Sequence, residues 1–269
     1  MLIVCNGAAK SGSTWLYNVV HQMVGSPWPD RRYLTSSKKH PVIRPDALEG
    51  YLRSEDFQSN DVVTKAHYGN RQLRDLLLAR PDVRVLDMTR DLHDVIVSSY
   101  YDSCRRHGFA GSFSAYYWLE GRSLAAYLIR YHRLWGDGHP QVFVTSFESL
   151  KNDFTNEVRR IADFMGRTLD DAAIDTLRQA TSIDTLRRKY DDDEKQPFFR
   201  KGVIGDWKNH FDPRMLRDLS RIEASGDIGR LDVVQFVSRI RQKLYATFPR
   251  LSPYRKVEQG GGQLPQRME

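Results

Sequence analysis

The sequence predicts an α/β fold in which a central, mainly parallel sheet is flanked by helices on both faces. Three observations predict it. Short apolar runs alternate with longer helical patterns over the first half of the chain. The first run, Leu2 to Cys5, is continuously apolar, as expected of a strand buried on both faces. The chain has 269 residues, of which 40% are hydrophobic and 11% aromatic, enough to enclose a large core.

Each element can be placed in turn. Residues 2–5 read as a strand and 14–24 as a helix, with Ser13 or Thr14 near its N-cap. Residues 26–60, broken by Pro27, Pro29, Pro41 and Pro45, read as irregular and suit a lid or acceptor-side loop. Residues 61–65 read as a second strand, 70–78 as a helix, 83–88 as a third strand and 92–104 as a helix. Residues 114–135 form one long aromatic-rich helix pattern, and 141–145 a fourth strand. Helical patterns follow at 152–165, 170–179, 213–224 and 233–245. Residues 187–199 are charged and unpatterned, and a tail from 253 to 269 reads as disordered. With no internal repeat, one domain over residues 1–252 is the expectation. Ligands in such folds sit at the carboxyl ends of the strands.

The loop after the first strand reads Gly7-Ala8-Ala9-Lys10-Ser11-Gly12-Ser13-Thr14-Trp15. A strand, a small-residue loop and a helix start make a phosphate cradle, in which backbone amides and the helix N-terminus face the anion. Gly7, Gly12 and Thr14 fit the nucleoside-triphosphatase pattern G-x-x-x-x-G-K-[ST], but Ser13 stands where the lysine belongs and the lysine has moved to position 10.

This loop resembles the P-K-S-G-T-T-W donor loop of the PAPS-dependent sulfotransferases, with Ala9 for proline and Ser13 for threonine. The resemblance implies a three-layer architecture like that of the P-loop nucleotide kinases. It also implies that Lys10, Ser11, Gly12, Ser13, Thr14 and Trp15 hold PAPS, with Lys10 at the oxygen bridging sulfate and phosphate. A second stretch, Thr89 to Tyr101, is similar to the family's R-x-P-x-D-V-x-V-S-x-Y, with Leu92 for the proline. It implies that Arg90 and Ser98 contact the 3′-phosphate. A third, Phe199 to Phe211, is similar to R-K-G-x-x-G-D-W-K-N-x-F and implies a 3′-phosphate nest at Arg200, Lys201 and Gly202. Two shorter stretches resemble adenine-side motifs. Phe147 stands where the family has tyrosine in Y-E-D-L-K, and Thr181-Ser182-Ile183 matches T-S-F without the aromatic ring.

Sulfuryl transfer to a hydroxyl needs a base, positive charge at the leaving phosphate and in-line geometry. It requires no metal and no covalent intermediate. The second strand ends Thr64-Lys65-Ala66-His67, which resembles the K-x-H of cytosolic sulfotransferases. The resemblance makes His67 the base and Lys65 an assistant at the sulfate, and an ordinary histidine pKa near 6.5 suits that role. The other histidines, His21, His40, His93 and His107 among them, read as structural or exposed. Some carbohydrate sulfotransferases use glutamate, which keeps Glu49, Glu55 and Glu120 in view.

The net charge of +7 favours anionic partners, but the basic residues gather in phosphate-sized groups and no aromatic-basic stripe marks a nucleic-acid track. A kinase or NTPase, and a nucleotide-binding protein without catalysis, are the competing classes. The displaced lysine speaks against the first. The acceptor expected from K-x-H is a phenolic or alcoholic small molecule, with a glycan or lipid hydroxyl as the alternative. Tyr33, Tyr68, Phe109, Phe113, Tyr116, Tyr117 and Trp118 are either its pocket or core. The family's dimer motif K-x-x-x-T-V-x-x-x-E is not matched. Asp212-Pro213 follows Lys208, and Arg217 replaces the glutamate, so oligomeric state stays open. Two unpatterned cysteines, Cys5 and Cys104, no signal-like start and no apolar stretch of membrane length place the chain in the cytoplasm by expectation.

Overall fold

In a computed structural model, the structure describes residues 1–36, 39–190 and 199–226. In chain order the strands are β1 (Leu2–Gly7), β2 (Val62–Lys65), β3 (Val83–Thr89) and β4 (Val142–Ser146). The helices are α1 (Ser13–Val24), α2 (Leu48–Leu52), α3 (Glu55–Ser59), α4 (Arg71–Leu78), α5 (Leu92–His107) and α6 (Phe113–Tyr116). Six more follow: α7 (Arg122–Trp135), α8 (Phe147–Asn152), α9 (Phe154–Phe164), α10 (Asp171–Ala180), α11 (Ile183–Tyr190) and α12 (Pro213–Ser225).

The four strands form one parallel sheet in the order β2-β1-β3-β4. All six residues of β1 are buried, which is why that run carries no polar alternation until its last residues. The register pairs Cys5 with Lys65 and Gly7 with Met88, so the carboxyl ends of β1, β2 and β3 lie side by side. Asparagine, serine and aspartate side chains cap the helices that follow. Asn70 accepts from the Leu73 amide, Ser146 from Ser149 and Asp170 from Ala173.

The described residues form two compact units. The first comprises described residues within 1–91 and 130–204 and holds the sheet; the second comprises 92–129 and 205–226. In the first, Leu16, Val19 and Val20 of α1 pack with Ile3, Val63 and Leu86 of the sheet and with Leu150, Val158 and Ile161. In the second, Phe211 packs on Phe113 and Tyr117, and Arg122 grips Asp218 with two bonds of 2.7 and 2.9 Å.

Three expectations change. Residues 26–60 carry the short helices α2 and α3, and Ile43, Leu48, Tyr51 and Phe57 are buried, so much of the segment is core rather than open loop. The pattern at 114–135 is interrupted by a π-helical turn over Tyr117–Gly121. A Cβ at Gly121 would stand 3.1 Å from the Tyr117 ring and 3.2 Å from Ile96, so the wider turn sits where the packing is tight. Residues 187–190 are helical, because Ser182 accepts from the Thr185 amide and starts α11. The helix expected at 233–245 and the tail at 253–269 lie outside the described residues. No described helix is long and apolar enough to cross a membrane.

Candidate active site

The loop after β1 is built from unusual backbone angles. Gly7 has φ +148°, Lys10 +70° and Gly12 +102°, and Lys10 is the sole non-glycine at positive φ among the described residues. Ser11 closes the turn twice, its amide and hydroxyl both donating to the Ala8 carbonyl at 3.2 and 2.6 Å. A Cβ at Gly7 would stand 2.8 Å from the Met88 carbonyl oxygen, and one at Gly12 3.1 Å from Phe147. The loop is thus seated against the end of β3. The N-cap residue of α1 is Gly12, which has no side chain to cap the helix. Such a concave turn running into an uncapped helix start fits a bound phosphate. Ser11, Ser13 and Thr14 are buried, while Lys10 and Trp15 are half-buried.

β2 delivers the second group. Lys65 is buried at the strand end, and its Nζ lies 2.7 Å from His67 Nε2. His67 Nδ1 lies 2.6 Å from the Gly7 carbonyl oxygen. A carbonyl only accepts, so Nδ1 carries the proton and Nε2 the lone pair. The imidazole spans from β2 to the first residue of the phosphate loop. By surface area His67 is exposed, although its bonds to Lys65 and Gly7 are part-buried. Desolvation by the protein around the ring comes first among the causes that lower its pKa from the ordinary value; the Lys65, His40 and Lys10 charges add to it, and only the Gly7 bond opposes. The expectation of an unperturbed histidine changes in direction: these surroundings favour the neutral ring. His40, set aside by the sequence, is itself held near pKa 4 by burial and by Lys65, Lys189 and Lys39.

A third group stacks beside the loop. The Arg90 guanidinium lies 4.3 Å from the Phe147 ring centre, and Phe147 meets Trp15 edge-on at 5.5 Å. Trp15 also stacks on Phe154 at 6.2 Å, so its ring is committed to protein as well as adjacent to the loop. Arg90 donates to the Val203 carbonyl at 3.0 Å, joining the second and third motifs. Gly202 has φ +62°, and a Cβ there would stand 2.3 Å from Ile183 Cδ1. Arg200 is half-buried and Lys201 exposed. Thr181 is buried and its hydroxyl donates to Leu177 of its own helix at 2.7 Å. Ser98 lies on α5, in the other unit.

The sequence missed several supporting residues. Arg187 donates to the carbonyls of Phe199 (2.9 Å) and Arg200, holding the third motif from α11. Glu148 accepts from the Asp91 amide at 3.1 Å. Asp94 accepts from the amides of Gly205 and Trp207 at 2.7 and 3.1 Å. The helix-start positions of Glu148 and Asp94 were legible, but not their remote partners. Among the glutamates, Glu49 pairs with Arg53, Glu55 is exposed at the start of α3, and burial raises the pKa of Glu120 in the second unit. Phe109, Phe113, Tyr116 and Tyr117 are buried in the second unit, Tyr68 is buried in the first, and Trp118 is exposed. Apart from Trp118 and half-buried Tyr33, these aromatics are core.

A family model described as the sulfotransferase domain matches residues 2–225. Sulfotransferase 1C2 of the rabbit, Oryctolagus cuniculus, is 27% identical over 232 residues, covering 78% of this chain and 77% of its own. The human Sulfotransferase 1C2 is 25% identical with the same coverage. A crystal structure of mouse sulfotransferase SULT7A1 complexed with PAP superposes with a TM-score of 0.64 at 18% identity, covering 90% of this chain and 88% of that one.

Proposed function

The chain belongs to the sulfotransferase-domain family and is a PAPS-dependent sulfotransferase, and from that premise we propose that it sulfates a phenolic or alcoholic small molecule by in-line displacement, with His67 as base. The observation that carries the proposal is the placement of His67 between Lys65 and the phosphate loop, with Nδ1 protonated and Nε2 basic.

In this reading the loop from Lys10 to Trp15 holds the 5′-phosphosulfate end of PAPS. Arg90, Arg200, Lys201 and the Gly202 amide hold the 3′-phosphate. Phe147, Thr181 and Ile183 lie on the adenine side. The glycines support that fit, since Gly7, Gly12 and Gly202 all take positive φ and a Cβ at Gly7 would stand 2.8 Å from the Met88 carbonyl, where the backbone must approach an anion. The acceptor hydroxyl takes the place of Lys65 at Nε2 and gives up its proton there. Its oxygen bonds to sulfur, the bond from sulfur to the bridging oxygen breaks, and the electron pair stays on the 5′-phosphate of PAP. Lys10 and Lys65 neutralise that developing charge. The Gly7 carbonyl stabilises the imidazolium through Nδ1–H, as an orienting acceptor does for other histidine bases.

The test is PAP release from PAPS against phenols, steroids, sugars and glycolipids, with product mass read out. Gain of one sulfuryl group on phenols or steroids supports the reading. Transfer confined to sugars or glycolipids overturns the acceptor class.

A further inference from the structure

We propose that Asn6 is a positioning residue for His67, acting through a side-chain rung that extends the sheet beyond its last backbone pair. The inference rests on the reading of His67 as base.

The β1–β2 ladder ends at Cys5 and Lys65, after which the Ala66 amide donates to the Cys5 carbonyl at 3.0 Å. The next rung is not backbone. Asn6 Oδ1 accepts from the Tyr68 amide at 2.9 Å, and Nδ2 reaches the Tyr68 carbonyl at 3.4 Å. His67 therefore sits between two pinned residues, one held by the Cys5 carbonyl and one by the Asn6 carboxamide. Trp135 adds a further donor to the Tyr68 carbonyl at 2.8 Å.

Asn6 is itself locked. It is fully buried, and Nδ2 donates to Asp87 Oδ1 on β3 at 3.1 Å. Asp87 is fully buried too; its Oδ1 takes the Asn6 amide, and its Oδ2 has no hydrogen-bond partner among the described residues. Tyr131 in turn accepts from the Gly7 amide at 3.0 Å. The same residue, Gly7, offers its carbonyl to His67 Nδ1. Buried bonds on both sides, Gly7 amide to Tyr131 and Asp87 to Asn6 to Tyr68, thus brace the loop after β1 and the base-bearing segment. An apolar side chain at position 6 would leave the Tyr68 amide without this acceptor. His67 would then be free to rotate away from its line between acceptor and sulfur, and misplacement by about 1 Å can cost on the order of 10²-fold in rate.

Steady-state kinetics on the full chain test this, with PAPS varied at saturating acceptor and PAP affinity read by calorimetry. Asn6→Ala is compared with the exchange Asn6→Asp plus Asp87→Asn, which keeps the bond between the two side chains with its donor reversed and keeps an acceptor for Tyr68. Asn6→Ala is expected to lower kcat by roughly 10- to 100-fold while PAP affinity moves by less than about 3-fold, and the exchange restores most of kcat. The inference is overturned if folded Asn6→Ala keeps kcat within about 2-fold of the parent. It is equally overturned if kcat, PAP affinity and melting temperature fall together without rescue by the exchange, which marks a general structural role. His67→Ala separates the two readings. If it retains turnover, the base assignment fails and this inference with it. If it is inactive while Asn6→Ala is active, the positioning inference fails alone.

Discussion

His67 carries two bonds that divide its work: Nδ1 to the Gly7 carbonyl and Nε2 to Lys65. His67→Ala should lower kcat by roughly 10²–10⁴-fold, the usual share of a general base, with PAP affinity little changed. The lowered pKa sets the pH profile. Because the neutral ring is favoured, kcat/KM should stay flat from about pH 8 down to about pH 5.5 and not fall through the ordinary histidine range. A drop centred near pH 6.5 that vanishes in His67→Ala would contradict this. Asp87 behaves in the opposite sense. Burial pushes its carboxyl up to about 7, against the Asn6 and Tyr131 side chains, which lower it. Its folded pKa lies above the unfolded one, so the stability tied to its proton is complete below the unfolded pKa of about 4 and is lost as pH rises through about 7. Thermal melts at about pH 5 and pH 8 check this: Asp87→Asn should gain melting temperature relative to the parent as pH rises.

At the scale of elements, the loop after β1, the stack of Arg90 on Phe147 and the turn at Gly202 are the parts proposed to hold the nucleotide. Gly202→Ala meets two obstacles, φ +62° and a 2.3 Å approach to Ile183 Cδ1. Gly202→Ala should weaken PAP binding by at least about 10-fold in a calorimetric titration, and adding Ile183→Val should recover only part, since the backbone strain remains. These elements were largely legible in the sequence, because each motif is local and its glycines, lysine and arginines mark their own conformations. What the sequence did not show is what joins them. The Asn6–Asp87 and Gly7–Tyr131 bonds span 81 and 124 residues, and no pattern in either segment announces the other. The π-turn in the 114–135 pattern and the packed short helices in 26–60 were hidden for a related reason. A one-residue widening keeps the apolar spacing nearly intact, and prolines mark breaks without showing what packs around them.

At the scale of the molecule, a parallel sheet brings the ends of β1, β2 and β3 together, and the proposed donor residues fall within the unit that contains it. A chain of net charge +7 that binds a multiply charged donor should lose affinity with salt, so the KM for PAPS should rise between about 50 and 500 mM salt. The central claim is that a second phosphate site works with the loop at Lys10. It is tested most directly by titrating PAP and AMP, which differ in the 3′-phosphate alone, into the intact protein. PAP is expected to bind at least about 10²-fold more tightly, the worth of a few charge-assisted hydrogen bonds, without added Mg²⁺. Equal affinity for PAP and AMP, or tighter binding of ATP with Mg²⁺ than of PAP, would contradict it.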